Sequence, residues 1–243
     1  MRFVTFAGPP SAGKTSVALR TAENLAAAGF RVGVVKFDCI STTDDETYRK
    51  KGIPVLTGIS GSLCPDHYFI TNIERCVEWG LSRNLDFLYS ESAGLCNRCS
   101  PHIKGIKSLC VIDCLSGVNT PKKIGPMLLF ADMVVITKGD IVSQAEREVF
   151  AFRARKANKN ARFLFVNGLT GEGSSVLARF LADTPEITGL EHERMRFPLP
   201  QALCSYCLGE TRIGEDYETA SLLHQKIAIP EAEPVPEAGL WKA

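Results

Sequence analysis

A chain of 243 residues with 45% hydrophobic side chains can build one large α/β domain with a small appendage. Lysine and arginine total 28 against 27 acidic residues, a net charge of +1, so nothing in the composition points to a nucleic-acid or anionic-membrane surface. The chain has no run of about 20 apolar residues to span a bilayer, and its first residues enter a strand without room for a leader; the expected location is the cytoplasm.

The apolar run Val4-Thr5-Phe6-Ala7 reads as the first strand. It leads into Gly8-Pro9-Pro10-Ser11-Ala12-Gly13-Lys14-Thr15, the pattern G-x-x-x-x-G-K-[ST], and then into a helical stretch from Ser16 to Ala28. In that stretch Ala18, Ala22, Leu25 and Ala26 recur at helical spacing, and Gly29 supplies the C-terminal cap. Strand before and helix after give the pattern a mechanism. The glycines let the backbone wrap an anion, and the first N–H groups and positive dipole end of the helix face into the loop. Lys14 would reach the β- and γ-phosphates, and the Thr15 hydroxyl would ligate Mg²⁺. Residues 8–16, ending at Ser16, are therefore expected to bind a nucleoside triphosphate.

Further along, Val32 to Phe37 reads as a buried strand ending at Asp38. A polar loop, Ser41-Thr42-Thr43-Asp44-Asp45, follows, then Ile53-Pro54-Val55-Leu56 and the glycine-rich Thr57-Gly58-Ile59-Ser60-Gly61. Strands are expected at Leu85 to Ser90, Leu109 to Asp113, Met133 to Ile136 and Arg162 to Val166. Helices are expected over Phe69 to Leu81, Val142 to Ala157 and Ser174 to Leu181. This alternation predicts a doubly wound, mainly parallel α/β sheet of the P-loop type, with ligand groups gathered after the strand C-termini. The expected organisation is a nucleotide-binding domain over residues 1–183, a Cys-containing extension over 184–228 and a Pro-rich, loose tail over 229–243.

Two more motifs follow strands. Thr137-Lys138-Gly139-Asp140 matches the guanine-reading pattern [NT]-K-x-D. The Asp140 carboxylate would accept from the N1–H and exocyclic amino group of guanine together, donors that adenine does not present there. Lys138 would lay its stem along the base. In Glu91-Ser92-Ala93-Gly94 the carboxylate would hold Mg²⁺ through water, while the Gly94 N–H would sense the γ-phosphate. Asp38 is the matching carboxylate at the preceding strand end, for Mg²⁺ or the attacking water. The loop Asn167-Gly168-Leu169-Thr170-Gly171-Glu172-Gly173 would lie beside the base. Lys14, Asp38 and Glu91 are thus the expected catalytic groups, with Thr15, Asp38 and Glu91 around Mg²⁺.

Nine cysteines are many for a cytosolic chain, where structural disulfides are rare and thiols instead bind metal or a cluster. Cys76, Cys110 and Cys114 lie in apolar patterns and read as core residues. Cys96-Asn97-Arg98-Cys99 and Cys204-Ser205-Tyr206-Cys207 offer four thiolates, enough for a tetrahedral Zn²⁺ site or a [4Fe–4S] cluster; a redox dithiol is the competing role for either pair. The first pair is fused to the Glu91 to Gly94 segment, which predicts coupling between nucleotide state and thiol geometry. His102, after Cys99-Ser100-Pro101, is a candidate further ligand; His192 and His224 read as surface residues.

In this order the motifs resemble those of the nickel-chaperone GTPases, the urease accessory and hydrogenase maturation GTPases of the SIMIBI class. The stretch from Gly58 to Cys64-Pro65-Asp66-His67 resembles the G-G-C-P-H metal motif of that family, and Glu91-Ser92-Ala93-Gly94 resembles its E-S-G-G. Asp113 to Pro126, with Gly117, Pro121-Lys122-Lys123 and Gly125-Pro126, resembles its D-x-x-x-G-x-x-x-P-x-K-G-G-P segment. The likeness covers roughly residues 2–180 and implies a GTP-dependent homodimer delivering nickel or another metal to a client metalloenzyme. It adds Cys64 and His67 to the expected metal ligands, with Asp66 inserted between Pro65 and His67. Two other readings stay open: a P-loop small-molecule kinase, and a non-catalytic, nucleotide-locked zinc or cluster protein.

Overall fold

The computed structural model describes residues 1–198, 211–214 and 226–230. Cys204, Cys207 and His224, with residues 231–243 of the expected tail, lie outside the described residues. Seven strands form one parallel sheet: β1 (Arg2–Ala7), β2 (Val32–Asp38), β3 (Val55–Ile59), β4 (Phe87–Glu91), β5 (Lys107–Asp113), β6 (Met133–Thr137) and β7 (Arg162–Phe165). Their spatial order is β3-β2-β4-β1-β5-β6-β7. From β1 the chain steps outward to β2 and β3, returns to β4, and crosses to β5 on the other side of β1. The strand order therefore reverses beside β1, where loops open a crevice for ligands.

The helices are α1 (Lys14–Ala27), α2 (Asp44–Lys50), α3 (Pro65–Ser82), the single turn α4 (Pro126–Leu129), α5 (Gln144–Ala157) and α6 (Ser174–Ala182). They cover both faces, which is why the strands are almost continuously apolar. Alternate side chains divide between the faces. Val4, Phe6, Val34, Tyr89, Leu109, Val111 and Val135 pack under α1 and α6. Phe3, Val35, Phe37 and Leu88 pack against α3, and Cys110, Ile112, Val134 and Ile136 against α5. Cys76, Cys110 and Cys114 are core residues as expected, and burial pushes the Cys110 thiol up to about 12. Ile187, Leu190, Met195, Ile213 and Ile227 from beyond residue 183 join the cluster around α3. No helix among the described residues is long and apolar enough to cross a membrane.

Two elements differ from the sequence reading. The segment read as a polar loop ends in α2, whose first turn carries Asp44, Asp45 and Glu46 and whose last carries Arg49 and Lys50, a distribution that complements the helix dipole. Helix α3 begins four residues earlier than expected, because Pro65 sits at its first turn where a missing N–H costs nothing.

Candidate nucleotide and thiol sites

The phosphate loop leaves β1 at Gly8, whose φ of 139° is open to glycine; a Cβ there would lie 2.0 Å from the Val111 carbonyl oxygen. Gly13, at φ 90°, turns the chain into α1. Lys14 is buried and donates to the Gly8 and Pro9 carbonyls at 3.0 and 2.8 Å, so it folds back over the loop. Burial lowers its pKa to about 8.

Thr15, at the start of α1, meets two carboxylates. Its Oγ1 lies 2.7 Å from Glu91 Oε1 and 3.1 Å from Asp44 Oδ2. Glu91 is fully buried, and its other oxygen accepts from the Tyr48 hydroxyl at 2.8 Å. Lys36 stands across from Glu91 in the β2–β4 register, and its Nζ lies 2.6 Å from Glu91 Oε1 and 2.7 Å from Asp44 Oδ2. Burial alone would raise the Asp44 pKa, but the hydrogen bond and charge of Lys36 hold it below the usual carboxylate value. A hydroxyl and two carboxylates on converging oxygens are the hard donor set that Mg²⁺ takes. Asp44 was not anticipated from sequence, although three acidic residues after a candidate cap are a helix-start signal. Asp38 is placed elsewhere: its carboxylate accepts the Cys39 N–H at 2.8 Å, and its carbonyl accepts from Ser60.

The base-side motif docks on the same loop. The Thr137 hydroxyl donates to the Ala12 carbonyl at 2.6 Å, and Lys138, at φ 56°, reaches the Ser11 carbonyl at 2.7 Å. Asp140 lines a small pocket with Gly139, Arg147, Phe165, Asn167 and Glu172. The Asn167 side chain accepts the Leu169 and Thr170 N–H groups and so shapes the loop. Gly168 presses on the first turn of α1, where a Cβ would come within 2.7 Å of Ser16 Cβ. Ser11, Gly13, Lys138, Asp140 and Asn167 are thus gathered at one end of the sheet, as their positions after strand ends predict.

A second cluster lies after β3 and β4. Cys64, Asp66 and Cys99 offer ligand atoms all within 4.8 Å of one another, and Cys96 Sγ lies 3.4 Å from Cys99 Sγ. Cys64 caps α3 in extended geometry, which turns its side chain across to the loop leaving β4. The Cys99 hydrogen bond, aided by His67, pulls the Cys64 thiol well below its ordinary value, which favours the thiolate that a metal would take. Burial, together with the Cys64 charge, raises Asp66 to about 7. Three of the six expected metal ligands, Cys64, Cys96 and Cys99, converge, with His67 bonded to Cys64; Asp66, read from sequence only as an inserted residue, joins them. His102 does not. Fully buried, it bonds the Met127 carbonyl at 2.9 Å and Thr5 Oγ1 at 3.0 Å, so Nε2 carries the proton and donates while Nδ1 accepts. Burial lowers its pKa to about 4, and it serves the core.

The clusters are joined at Gly94. Its φ is 76°, and a Cβ there would lie 1.8 Å from the Gly8 carbonyl oxygen and 3.1 Å from Lys14 Nζ. The backbone that carries Glu91 therefore touches the phosphate loop before it reaches Cys96. On the far side of that loop, a Cβ on Gly125 would lie 2.5 Å from the Asn97 carbonyl oxygen, a close approach that seats the C-x-x-C turn.

Residues 2–165 match the family model described as the CobW/HypB/UreG nucleotide-binding domain. An uncharacterized protein of Methanocaldococcus jannaschii is 48% identical over 222 residues, covering 91% of this chain and 95% of that one. The urease accessory protein UreG of Aliarcobacter butzleri is 28% identical over 176 residues, 68% of this chain and 89% of the relative. Among solved structures, HypB from Helicobacter pylori in complex with nickel superposes with a TM-score of 0.59 at 21% identity, covering 75% and 86% of the two chains.

Proposed function

The chain belongs to the CobW/HypB/UreG nucleotide-binding family, and from that premise we propose that it is a GTP-hydrolysing carrier that loads a metal ion or cluster onto a client metalloenzyme. The observation that carries the reading is the convergence of Cys64, Cys96, Cys99 and Asp66 on the loop that Gly94 pins to the phosphate loop. Thiolates with one carboxylate suit a borderline or soft cation, Zn²⁺ or Ni²⁺, or an iron–sulfur cluster completed by further thiols such as Cys204 and Cys207.

In the nucleotide site Lys14 and the backbone of residues 8–15 stabilise phosphate charge, Thr15, Asp44 and Glu91 hold Mg²⁺, and Asp140 selects guanine. Asp38 remains a candidate to orient the attacking water. When bound, Mg²⁺ neutralises charge on the phosphate oxygens; the chain's own part is positioning. Exposed apolar residues support a nucleotide-dependent dimer. Ile40, Leu95 and Leu115, at 85, 58 and 52% exposure, all lie in segments after strand C-termini, at the end of the sheet that carries the phosphate loop. Residues 1–183 would carry the nucleotide chemistry, with 184–228 as the extension that brings the second C-x-x-C pair and 229–243 as a flexible tail.

The test is anaerobic purification followed by elemental analysis, an absorption spectrum, and turnover of GTP against ATP. The reading expects bound metal or cluster and a preference for GTP of about 100-fold or more, lost in Asp140→Asn. Protein holding neither metal nor cluster, together with unaltered client maturation by the Cys96→Ser/Cys207→Ser variant, would overturn the carrier. Equal use of ATP would favour a kinase.

A further inference from the structure

The charge arrangement at Thr15 contains a cation of the chain's own. The Lys36 ammonium rests on Glu91 Oε1 and Asp44 Oδ2 at 2.6 and 2.7 Å, the same two oxygens that the Thr15 hydroxyl approaches. We infer that Lys36 occupies the position Mg²⁺ must take, so that displacement of this side chain sets the Mg²⁺ concentration at which nucleotide is held. The inference rests on the nucleotide and Mg²⁺ reading above and adds the residue that tunes it.

Three observations carry it. First, both carboxylates already have a cation: Lys36 pairs directly with Asp44 and Glu91, and the Lys14 ammonium adds its field to theirs while bonding the Gly8 and Pro9 carbonyls. A divalent ion bonded to these oxygens at about 2.1 Å would sit within a few ångströms of the ammonium, and the two positive charges repel strongly in a buried site. Secondly, Lys36 cannot simply retract. It leaves the middle of β2 directly opposite Glu91, and its side chain is only 5% exposed. Thirdly, the two carboxylates differ in freedom. The Glu91 side chain is 1% exposed and tied to Tyr48, whereas Asp44 opens short α2 and is 39% exposed. The route out therefore runs along Asp44, with the ammonium moving toward solvent as the ion settles between Thr15 and Glu91. Mg²⁺ entry and Lys36 release become one step, favoured when a triphosphate brings negative charge to the loop.

The experiment compares the full chain with Lys36→Met and Lys36→Arg after treatment with a chelator. One arm follows the melting temperature during a MgCl₂ titration without nucleotide. The other follows the Mg²⁺ dependence of binding of a fluorescent GTP analogue. Lys36→Met should need at least about tenfold less Mg²⁺ for half-maximal nucleotide binding, and Mg²⁺ alone should raise its melting temperature but not that of the parent. Lys36→Arg should behave as the parent does. If Lys36→Met leaves Glu91 too poorly compensated to fold, Lys36→Gln gives the same readings with a polar group in place. An unchanged or increased Mg²⁺ requirement in the neutral variants, or a parent that melts higher with Mg²⁺ alone, overturns the inference. A parent that binds no fluorescent GTP at any Mg²⁺ concentration instead overturns the nucleotide reading, while the melting arm still tests Lys36.

Discussion

The phosphate end and the thiol pocket lie on neighbouring loops at the C-terminal end of the same sheet, yet they hold charge in opposite ways. At the phosphate end two lysines face two carboxylates, and Lys14, Lys36, Asp44 and Glu91 all have close polar partners. In the thiol pocket the Cys64 sulfur and the Asp66 carboxyl crowd each other, and the donors close by are the thiol of Cys99 and the ring and backbone N–H of His67. Thiols are weak donors, so they compensate a buried anion poorly. The first region is stable as built and yields to a ligand only by exchanging partners. On the proposed reading, the second would lower its energy by taking up a cation.

Removing a charge from each region should separate them, and the largest effect belongs to Lys14. Lys14→Ala should weaken GTP binding about 1,000-fold in a fluorescence titration while metal content per chain stays as before. Loss of metal as well would erase the contrast. The converse change, Cys99→Ser, should lower Zn²⁺ affinity about 100-fold against a chelating dye and leave GTP affinity within about twofold.

Gly94→Ala tests the joint. The positive backbone angle alone costs an alanine about 1–3 kcal/mol, and the added methyl group, 1.8 Å from the Gly8 carbonyl oxygen, also forces the two loops apart. The expected results are a lower melting temperature, roughly tenfold weaker GTP binding, and a metal affinity that no longer responds to nucleotide.

The smallest effect is a proton. Because the folded pKa of Lys14 is about 8, below the ordinary 10.5, the folded chain binds fewer protons than the unfolded chain between those values. Nucleotide-free stability should therefore gain from this group as pH rises through that window, the reverse of a lysine that gains an ion pair. A triphosphate restores the ammonium, so binding near pH 9 should take up between about half and one proton. Calorimetry in two buffers of different ionisation heat reads it, and zero uptake would place Lys14 outside the phosphate contacts.

Much of this was legible in the sequence, and for one reason. Groups immediately after strand ends are brought together by a parallel sheet whatever lies between them, so Gly8 to Thr15, Glu91, Thr137 to Asp140 and Asn167 could be assigned to one end of the sheet. Asp44 was missed because α2 is short and polar and offers no apolar period, although its acidic start, basic end and the pairs Asp45–Arg49 and Glu46–Lys50 were present to be read. Asp66 was read as a disturbance of ligand spacing; an early helix start at Pro65 turns it into the pocket, where it is buried. The approach of Cys64 to Cys99 follows no sequence rule, because β3 and β4 are not neighbours and β2 lies between them. His102 misled for the opposite reason: adjacency to cysteines says nothing of a ring held by Thr5 and Met127.

Gly94 and Cys96 are separated by two peptide units, a contour of at most about 7 Å. With Gly94 pressed on the carbonyl of Gly8 and Asn97 braced by Gly125, that short span has no slack at either end. On the proposed reading, a displacement of the phosphate loop would be passed directly to the Cys96 sulfur, as through a taut link rather than a spring. Chain length becomes a functional quantity: one residue inserted between Gly94 and Cys96 would keep every ligand and every phosphate contact, yet let the two ends of the machine move independently.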